Sequence, residues 1–292
     1  GVVLYFSYPS TFKSKENKLV VFDAGQGLAL AINSPDTSWL YDTGAAYEKT
    51  SVAQRIILPY LRAHNQLDAI EGIVISHGDW DHAGGMSDLL LFINPKHLWA
   101  GEVNRLEGGS SRELNARYCE QSMSWQSELV QIEVLYPFKK SLEKMMRNKK
   151  ISSNNHSCVV RVTMNGVKFL LMGDLESEAE LELVRFYKHE LKSDVLIAGH
   201  HGSNNASSYT FLKYVKPDTV VFSAGYNNRF GHPHEEVSQR AGRFAKHIYN
   251  TASNGAIIFS TDQSKEQGFE VTTTRNGDSP FWVLVDNNVA KN

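Results

Sequence analysis

The segment from Ile73 to Gly85 limits what this chain can become more than any other stretch. It reads Ile73-Val-Ile-Ser-His77-Gly-Asp79-Trp-Asp81-His82-Ala-Gly-Gly85. The apolar β-branched run predicts a short buried strand over 72–75, and the residues that follow predict a helix over 83–92, ending before Pro95. Between them, four side chains able to hold a metal fall within six residues. On a tight strand-to-helix loop, positions 77 and 79 can point the same way, while 81 and 82 point to two different sides. Two ions about 3.5–4 Å apart can activate a water and clamp both oxygens of a phosphoryl displacement, and such a loop can serve two ions. A polar loop with capping aspartates accounts for one or two of these residues, but not for all four and the glycine pair after them.

Short β-type runs and helical patterns alternate along the rest of the chain. Residues 18–22, 28–32 and 39–41 read as strands, and 52–63 as a helix with Ser51 at its N-cap. The stretch 101–150 reads as polar and irregular and carries a basic cluster of Lys139, Lys140, Lys144, Arg147, Lys149 and Lys150. Strands return at 158–162 and 168–172, joined by Asn165-Gly166, a strong hairpin signal. An amphipathic helix over 176–190, buried strands over 194–198 and 219–222, a helix over 235–246 and a strand over 256–259 complete the pattern. Strands followed by strand–loop–helix units, in two halves, suit two sheets packed face to face with helices outside. The expected fold is an α/β (α+β) four-layer αββα sandwich, one domain over residues 1–292. A Rossmann layout is disfavoured, because no Gly-x-Gly-x-x-Gly opens a helix after the first strand.

With 292 residues, 41% of them apolar, the chain can bury a large core. A formal net charge of −2 gives no global sign of nucleic acid, so a DNA role must rest on local patches and site chemistry. Two cysteines, Cys119 and Cys158, are too few for a disulfide scaffold and lack metal-type spacing; they read as buried free thiols. No apolar run approaches the ~18 residues of a membrane span, and residues 1–8 lack the charged start of a signal peptide.

The metal loop resembles the His-x-His-x-Asp-His signature of the metallo-β-lactamase superfamily, with Asp79 where the second histidine usually stands. The same Asp-x-Asp-His core characterises the nuclease domain of ComEC/Rec2-type DNA-uptake (competence) proteins. Other stretches resemble that family in its order: Val21-Phe-Asp-Ala-Gly-Gln-Gly27, Leu40-Tyr-Asp-Thr-Gly44, Ile57-Leu-Pro-Tyr-Leu-Arg62, Leu171-Met-Gly-Asp174-Leu-Glu176, Gly199-His-His-Gly-Ser203 and Asn227-Asn-Arg-Phe-Gly-His-Pro233. The resemblance runs from about Val20 to about Gly255 and implies the metallo-β-lactamase fold. It implies metal ligation by His77, Asp79, Asp81 and His82, with Asp174 bridging two ions. One of His200 and His201 joins them, and His200 is favoured because Gly-His recurs at this place in the superfamily. Asp42 is expected behind the metal loop. Asp81, His232 and His201 are expected to act in catalysis, and Asn228, Arg229 and Ser203 to bind substrate. His156 is left open as a further ligand, since the DNA-uptake family keeps Asn-Asn-x-Ser in that region without a histidine.

The function so implied is metal-dependent hydrolysis of DNA phosphodiesters, degrading the strand that is not imported during natural transformation. Carboxylate-rich ligation points to Mn²⁺, with Zn²⁺ or Mg²⁺ as substitutes. The basic cluster can follow a phosphate backbone, and Trp80, Tyr226 and Phe230 are aromatics able to stack on unpaired bases. The expected partners are DNA, plus a membrane channel domain and an OB-fold domain of the same polypeptide. That places this part on the extracytoplasmic side of an inner membrane. The rival readings are a lactonase- or β-lactamase-like hydrolase of small molecules, and a DNA-guiding module without catalysis.

Overall fold

The computed structural model describes residues 17–35, 37–106, 115–148, 150–262 and 268–275. The first half of the chain supplies β1 (Asn17–Val21), β2 (Ala29–Asn33), β3 (Ser38–Thr43), a small hairpin of β4 (Ala46–Tyr47) and β5 (Thr50–Ser51), β6 (Ile70–Ile75), β7 (His97–Ala100) and β8 (Ala116–Tyr118). The second half supplies β9 (Ser124–Gln126), β10 (Val130–Tyr136), β11 (Val159–Met164), β12 (Val167–Leu171), β13 (Val195–Ile197), β14 (Thr219–Phe222) and β15 (His247–Asn250). Finally, β16 (Ile257–Thr261) and β17 (Phe269–Thr273) return to the first half.

Two sheets result, with strand orders β17-β16-β1-β2-β3-β6-β7-β8 and β15-β14-β13-β12-β11-β10-β9. Each joins an antiparallel part to a parallel one: β3, β6, β7 and β8 run parallel in the first sheet, and β12 to β15 in the second. Parallel strands need crossovers on the outer faces, and the helices lie there. They are α1 (Leu58–Ala63), α2 (Trp80–Ala83) and α3 (Met86–Leu90) outside the first sheet. Outside the second lie α4 (Lys139–Arg147), α5 (Ser177–Tyr187), α6 (Tyr209–Val215) and α7 (Glu235–Ala241), and a short α8 (Thr251–Asn254) follows β15.

The period-2 alternation of side chains builds three apolar layers. Leu19 and Val21 face the second sheet, where Val160, Val162, Phe169 and Leu171 meet them. Val20 and Phe22, one residue out of step, join Ile57, Leu61 and Met86 under the first helical layer. Leu170 and Met172 do the same beneath Leu183, Phe211 and Val237. The arrangement is the αββα sandwich that the sequence pattern predicts.

Several local expectations are corrected. The predicted helix over 52–63 forms, but its first part, Ala53–Ile57, is wound as a wider π-helix before α1; Pro59, which has no N–H to give, stands in the first turn of α1. Ser51 still caps this segment, its Oγ accepting the Gln54 N–H at 3.2 Å. The helix expected over 83–92 starts earlier, at Trp80, and breaks at Gly84-Gly85. The stretch read as irregular holds β8, β9, β10 and α4. There, Val130, Ile132 and Val134 alternate with Gln131 and Glu133 as a half-buried strand should, while α4 buries Leu142 and Met145 and turns its lysines outward. Lys149 lies outside the described residues. The cysteines are not free: Cys119, just after β8, and Cys158, just before β11, form a disulfide between the two sheets, both fully buried.

Candidate metal centre

The parallel strands converge on one place. Their carboxyl ends deliver Asp42 (β3), the 76–82 loop (β6), Asp174 (after β12), the 199–202 turn (after β13) and Ser223 (after β14). Open parallel sheets bind ligands at that end, because the chain leaves each strand there in loops free to vary.

Two sets of three donors form, each with its ligand atoms within 4.8 Å of one another: His77, His82 and Asp174, and Asp81, His82 and His201. His82 is shared. Its Nε2 lies 3.1 Å from Asp174 Oδ1 and 3.2 Å from His201 Nε2. His201 Nε2 lies 3.3 Å from Asp81 Oδ2 and 3.4 Å from Asp174 Oδ1.

Hydrogen bonds behind these rings fix which nitrogen faces the cluster. Fully buried Asp42 accepts the Ser76 N–H at 2.6 Å, the Ser76 hydroxyl at 2.7 Å and the His82 Nδ1–H at 2.7 Å. The Ser76 oxygen lies 3.0 Å from His77 Nδ1, and the Ser223 carbonyl 2.8 Å from His201 Nδ1. With each Nδ1 engaged as a donor, all three Nε2 atoms turn a lone pair inward, the tautomer a metal ligand needs. Asp42 reaches this position through a left-handed backbone, φ 57°. Such strain persists where the surroundings over-determine it, and here three donors hold the carboxylate.

Within this buried cluster, His77 Nε2 and Asp174 Oδ1 have no hydrogen-bond partner, and His232 Nδ1 beside it has none either. Groups taken out of water and left unpaired are costly, and imidazole nitrogens with carboxylate oxygens are the donor set of divalent transition ions. The electrostatics agree. Burial opposes charge on His82, yet Asp174 and Asp42 hold its proton affinity well above the ordinary histidine range. His201 is likewise pushed up to about 9, burial being outweighed by Asp174 and Asp81. Asp174 and Asp81 stay below the usual carboxylate range despite burial, held there chiefly by His201 and His82. Carboxylates that cling to their charge beside imidazoles that gather protons mark a site that calls for cations.

The other expected residues are placed as follows. Asp79 occupies the cap position of α2 without capping it; its Oδ2 lies 3.4 Å from His77 Nε2 and its Oδ1 takes the Arg105 guanidinium at 2.8 Å. His77 first and Arg105 after it hold this carboxyl far below its ordinary range. His200 and His201 exchange the expected places. Both adopt left-handed backbones, φ 50° and 53°, which turn His201 into the cluster and leave His200 at the rim. There His200 pairs with Asn205 at 3.0 Å, and its Nε2 comes no nearer than 3.8 Å to Asp174. Asn228 is spent on its own turn, donating to the Gly225 and His232 carbonyls and accepting the Phe230 and His232 N–H groups. It therefore positions His232 instead of facing outward. Arg229 is exposed and lies over the Phe230 ring at 4.7 Å. Ser203 is half-buried beside the rim, its N–H donated to the His200 carbonyl. His232 lies 5.7 Å from the His200 ring, and burial with its histidine neighbours pushes it down to about 4. His156 stands outside both donor sets, 3.7 Å from Glu102.

Sequence reasoning missed two supports. Arg105 bonds Asp79, Glu102 and Ser153 at once. It packs so close to Gly78 that a Cβ there would sit 2.5 Å from its own, so only glycine fits at 78. Nothing in the sequence near Arg105 signals this, for it meets the loop across the fold. Glu176 gathers Asn154, Asn155 and Asn205 and so ties the 153–156 turn to the His200 turn. Its place in Gly-Asp-Leu-Glu was the only signal.

A family model described as the metallo-beta-lactamase superfamily matches residues 22–118. Competence protein ComA of Neisseria gonorrhoeae is 35% identical over 256 residues, 87% of this chain and 34% of that protein. Recombination protein 2 of Haemophilus influenzae is 31% identical over 269 residues, 90% of this chain and 31% of that protein. The chain belongs to the ComEC/Rec2-type branch of the metallo-β-lactamase superfamily. It spans about a third of the length of the relatives it matches. Among solved structures, the metallo-beta-lactamase fold protein YhfI of Bacillus subtilis aligns at a TM-score of 0.50 and 12% identity, over 80% of this chain and 95% of that one, a likeness of fold alone. No helix among the described residues is long and apolar enough to cross a membrane.

Proposed function

We propose that this chain is a metal-dependent phosphodiesterase acting on DNA, the nuclease part of a DNA-uptake protein. The observation that carries the reading is the double donor set sharing His82, each ring steered from behind, with buried ligand atoms that no protein group satisfies. His77, His82 and Asp174 on one side, Asp81 and His201 on the other, would hold the divalent ions, with Asp79 beside His77. When bound, two such ions supply Lewis acidity at the phosphoryl oxygens and an acidified water at neutral pH. Three carboxylates beside three imidazoles favour Mn²⁺, with Zn²⁺ or Mg²⁺ as substitutes.

The chain's own groups do the remaining work. Asp42 and the Ser223 carbonyl keep His82 and His201 in the ligating tautomer. His232, neutral near pH 7, can accept or share a proton at the site's edge; a bound phosphate would bring the negative charge that raises its proton affinity. Lys144 of α4 and Lys150 just beyond it border a hollow of about 330 Å³ that also touches Asn155 and Glu176, which supports contact with a phosphate backbone on this side of the molecule. The names of the relatives, a competence protein and a recombination protein, support a role in DNA uptake; a channel domain and an OB-fold domain of the same polypeptide belong to this proposal as partners. The disulfide supports an extracytoplasmic place, where such bonds persist.

The test is cleavage of end-labelled linear and closed circular single-stranded DNA by metal-stripped protein, with Mn²⁺, Mg²⁺ or Zn²⁺ restored in turn. Manganese-dependent cleavage, absent in a folded Asp81→Ala variant, is the expected result. Two bound ions per chain without cleavage of any DNA would turn the reading toward a hydrolase of small molecules.

A further inference from the structure

The Cys119–Cys158 disulfide is fully buried, and backbone hydrogen bonds lead from both of its ends to the end of β6, where the metal loop begins. Cys158 donates its N–H to the Ser76 carbonyl at 2.8 Å. Cys119 donates its N–H to the Ala100 carbonyl at 2.8 Å, and Gly101, which follows Ala100, donates to the Ile75 carbonyl at 3.1 Å. Ser76 in turn holds Asp42 through both its N–H and its hydroxyl, and Asp42 holds His82 Nδ1.

The other supports of the metal set meet at the same two cysteines. Ser157, the chain neighbour of Cys158, accepts the Asp174 N–H on its hydroxyl at 3.0 Å. Tyr41, the chain neighbour of Asp42, donates its hydroxyl to the Cys158 carbonyl at 2.8 Å. Beyond Gly101 stand Glu102, which accepts the Gly78 N–H at 3.0 Å, and Arg105, which holds Asp79. The packing leaves no slack. A Cβ on Gly101 would run into the carbonyls of His156 and Ser76, and one on Gly173 would sit 2.6 Å from Ser76 Cβ and 2.9 Å from Ser157 Oγ.

We propose that the disulfide is a positioning element of the metal centre, so that the chain holds its ions tightly only when Cys119 and Cys158 are joined. The inference rests on the metal-binding part of the function proposed above and adds a redox condition to it. A ligand set works when its groups are held within about 0.5 Å of their places by the residues behind them. Close-packed interiors pass small shifts on to their neighbours, and two separate thiols need more room than the bond that joins them. Reduction therefore moves the segments that carry Ser76 and Ser157, and with them Asp42 and Asp174. The bond forms by exchange: two protein thiols and one external disulfide give the protein disulfide and two external thiols, which take the protons and the electrons. With both sulfurs buried, the exchange belongs to the folding chain, before the sheets close over them. A chain folded in a reducing compartment would keep its ions poorly, and the centre becomes competent only in an oxidising one.

The test measures Mn²⁺ affinity by competition with a chelator. It compares the oxidised wild type, the wild type refolded with tris(2-carboxyethyl)phosphine, and the double variant Cys119→Ala/Cys158→Ala, each shown to be folded by circular dichroism. Mn²⁺ is the probe because it prefers oxygen and imidazole ligands to the thiols that reduction frees. The reduced protein and the double variant should bind it about 10- to 100-fold more weakly. Leu183→Ala, a substitution in the core beneath the outer helices of the second sheet, loses stability without touching these supports and should bind as the wild type does. A second measurement needs no variant: by linkage, bound Mn²⁺ should shift the thiol–disulfide equilibrium of the wild type against glutathione by the same factor. Equal affinity of the oxidised and reduced proteins, or an equilibrium indifferent to Mn²⁺, would overturn the positioning role and leave the metal centre standing. An equal loss of affinity in Leu183→Ala would assign the effect to general destabilisation and would overturn it as well. Failure of the oxidised wild type to bind any ion would remove the metal centre itself, and this inference with it.

Discussion

Replacing Asp42 by asparagine isolates what a residue that touches no substrate contributes. The carboxylate accepts three hydrogen bonds in a site with no exposure, two from Ser76 and one from His82 Nδ1. An amide of the same shape has one acceptor oxygen in place of two. If that oxygen keeps Ser76, the amide nitrogen faces the His82 Nδ1–H, donor against donor. The ring then turns, or moves its proton to Nε2, the atom that ligates. Loss of one bond to a charged group costs about 1.5–3 kcal/mol of stability. Removing the partner behind a ligating histidine lowers metal affinity about 10- to 100-fold, which corresponds to about 1.4–2.7 kcal/mol. Competition with a chelator gives the affinity, and urea unfolding of metal-free protein separates the stability loss from it. A variant that binds Mn²⁺ or Zn²⁺ as tightly as the wild type would refute the claim that Asp42 sets the tautomer of His82.

Three further outcomes are expected. Reducing the Cys119–Cys158 disulfide, which closes a loop of 39 residues, should cost about 4 kcal/mol by the loop-entropy relation; equal urea midpoints with and without reductant would contradict it. Glu180, fully buried beneath α6 and accepting the Ser207 and Ser208 N–H groups, is pushed by burial from 4.5 to about 7. The folded state therefore holds this proton more tightly than the unfolded chain. Its contribution is fully present below about 4.5 and is lost as pH rises through about 7, a swing on the order of 3 kcal/mol. The difference in unfolding free energy between wild type and Glu180→Gln, measured at pH 5 and pH 8, should show that swing, and a pH-independent difference would rule it out. Arg105→Met should release Asp79, remove the guanidinium from Glu102, which keeps the Gly78 N–H and the Ser153 hydroxyl, and lower metal affinity by about tenfold, read by the same chelator competition; unchanged affinity would mean that Asp79 needs no such anchor.

What was legible in the sequence is what is local. Four donors within six residues, after an apolar strand and before a glycine pair, announce a metal loop wherever they occur. The Asn165-Gly166 turn came through for the same reason: both residues adopt left-handed backbones, φ 51° and 84°, which few other pairs allow. The strand 130–136 was equally local and was passed over because polar residues around it masked its alternation. The layered order followed from repetition of strand–loop–helix units, since each apolar face must find another.

Tertiary structure decided the rest, because those facts depend on residues that meet only after folding. His200 and His201 are neighbours of the same type, and only the left-handed pair of backbones, closed by the Ser223 carbonyl on one side and Asn205 on the other, selects which ring turns inward. Cys119 and Cys158 flank strands of separate sheets, and their pairing depends on how the sheets face each other. Asn228 had a motif that suggested contact with substrate, yet its amide is consumed by the turn that carries His232. Arg105 had no motif at all. It lies 26 residues beyond Asp79, and its side chain packs against Gly78, where a Cβ would clash with it, on the way to the Asp79 carboxylate.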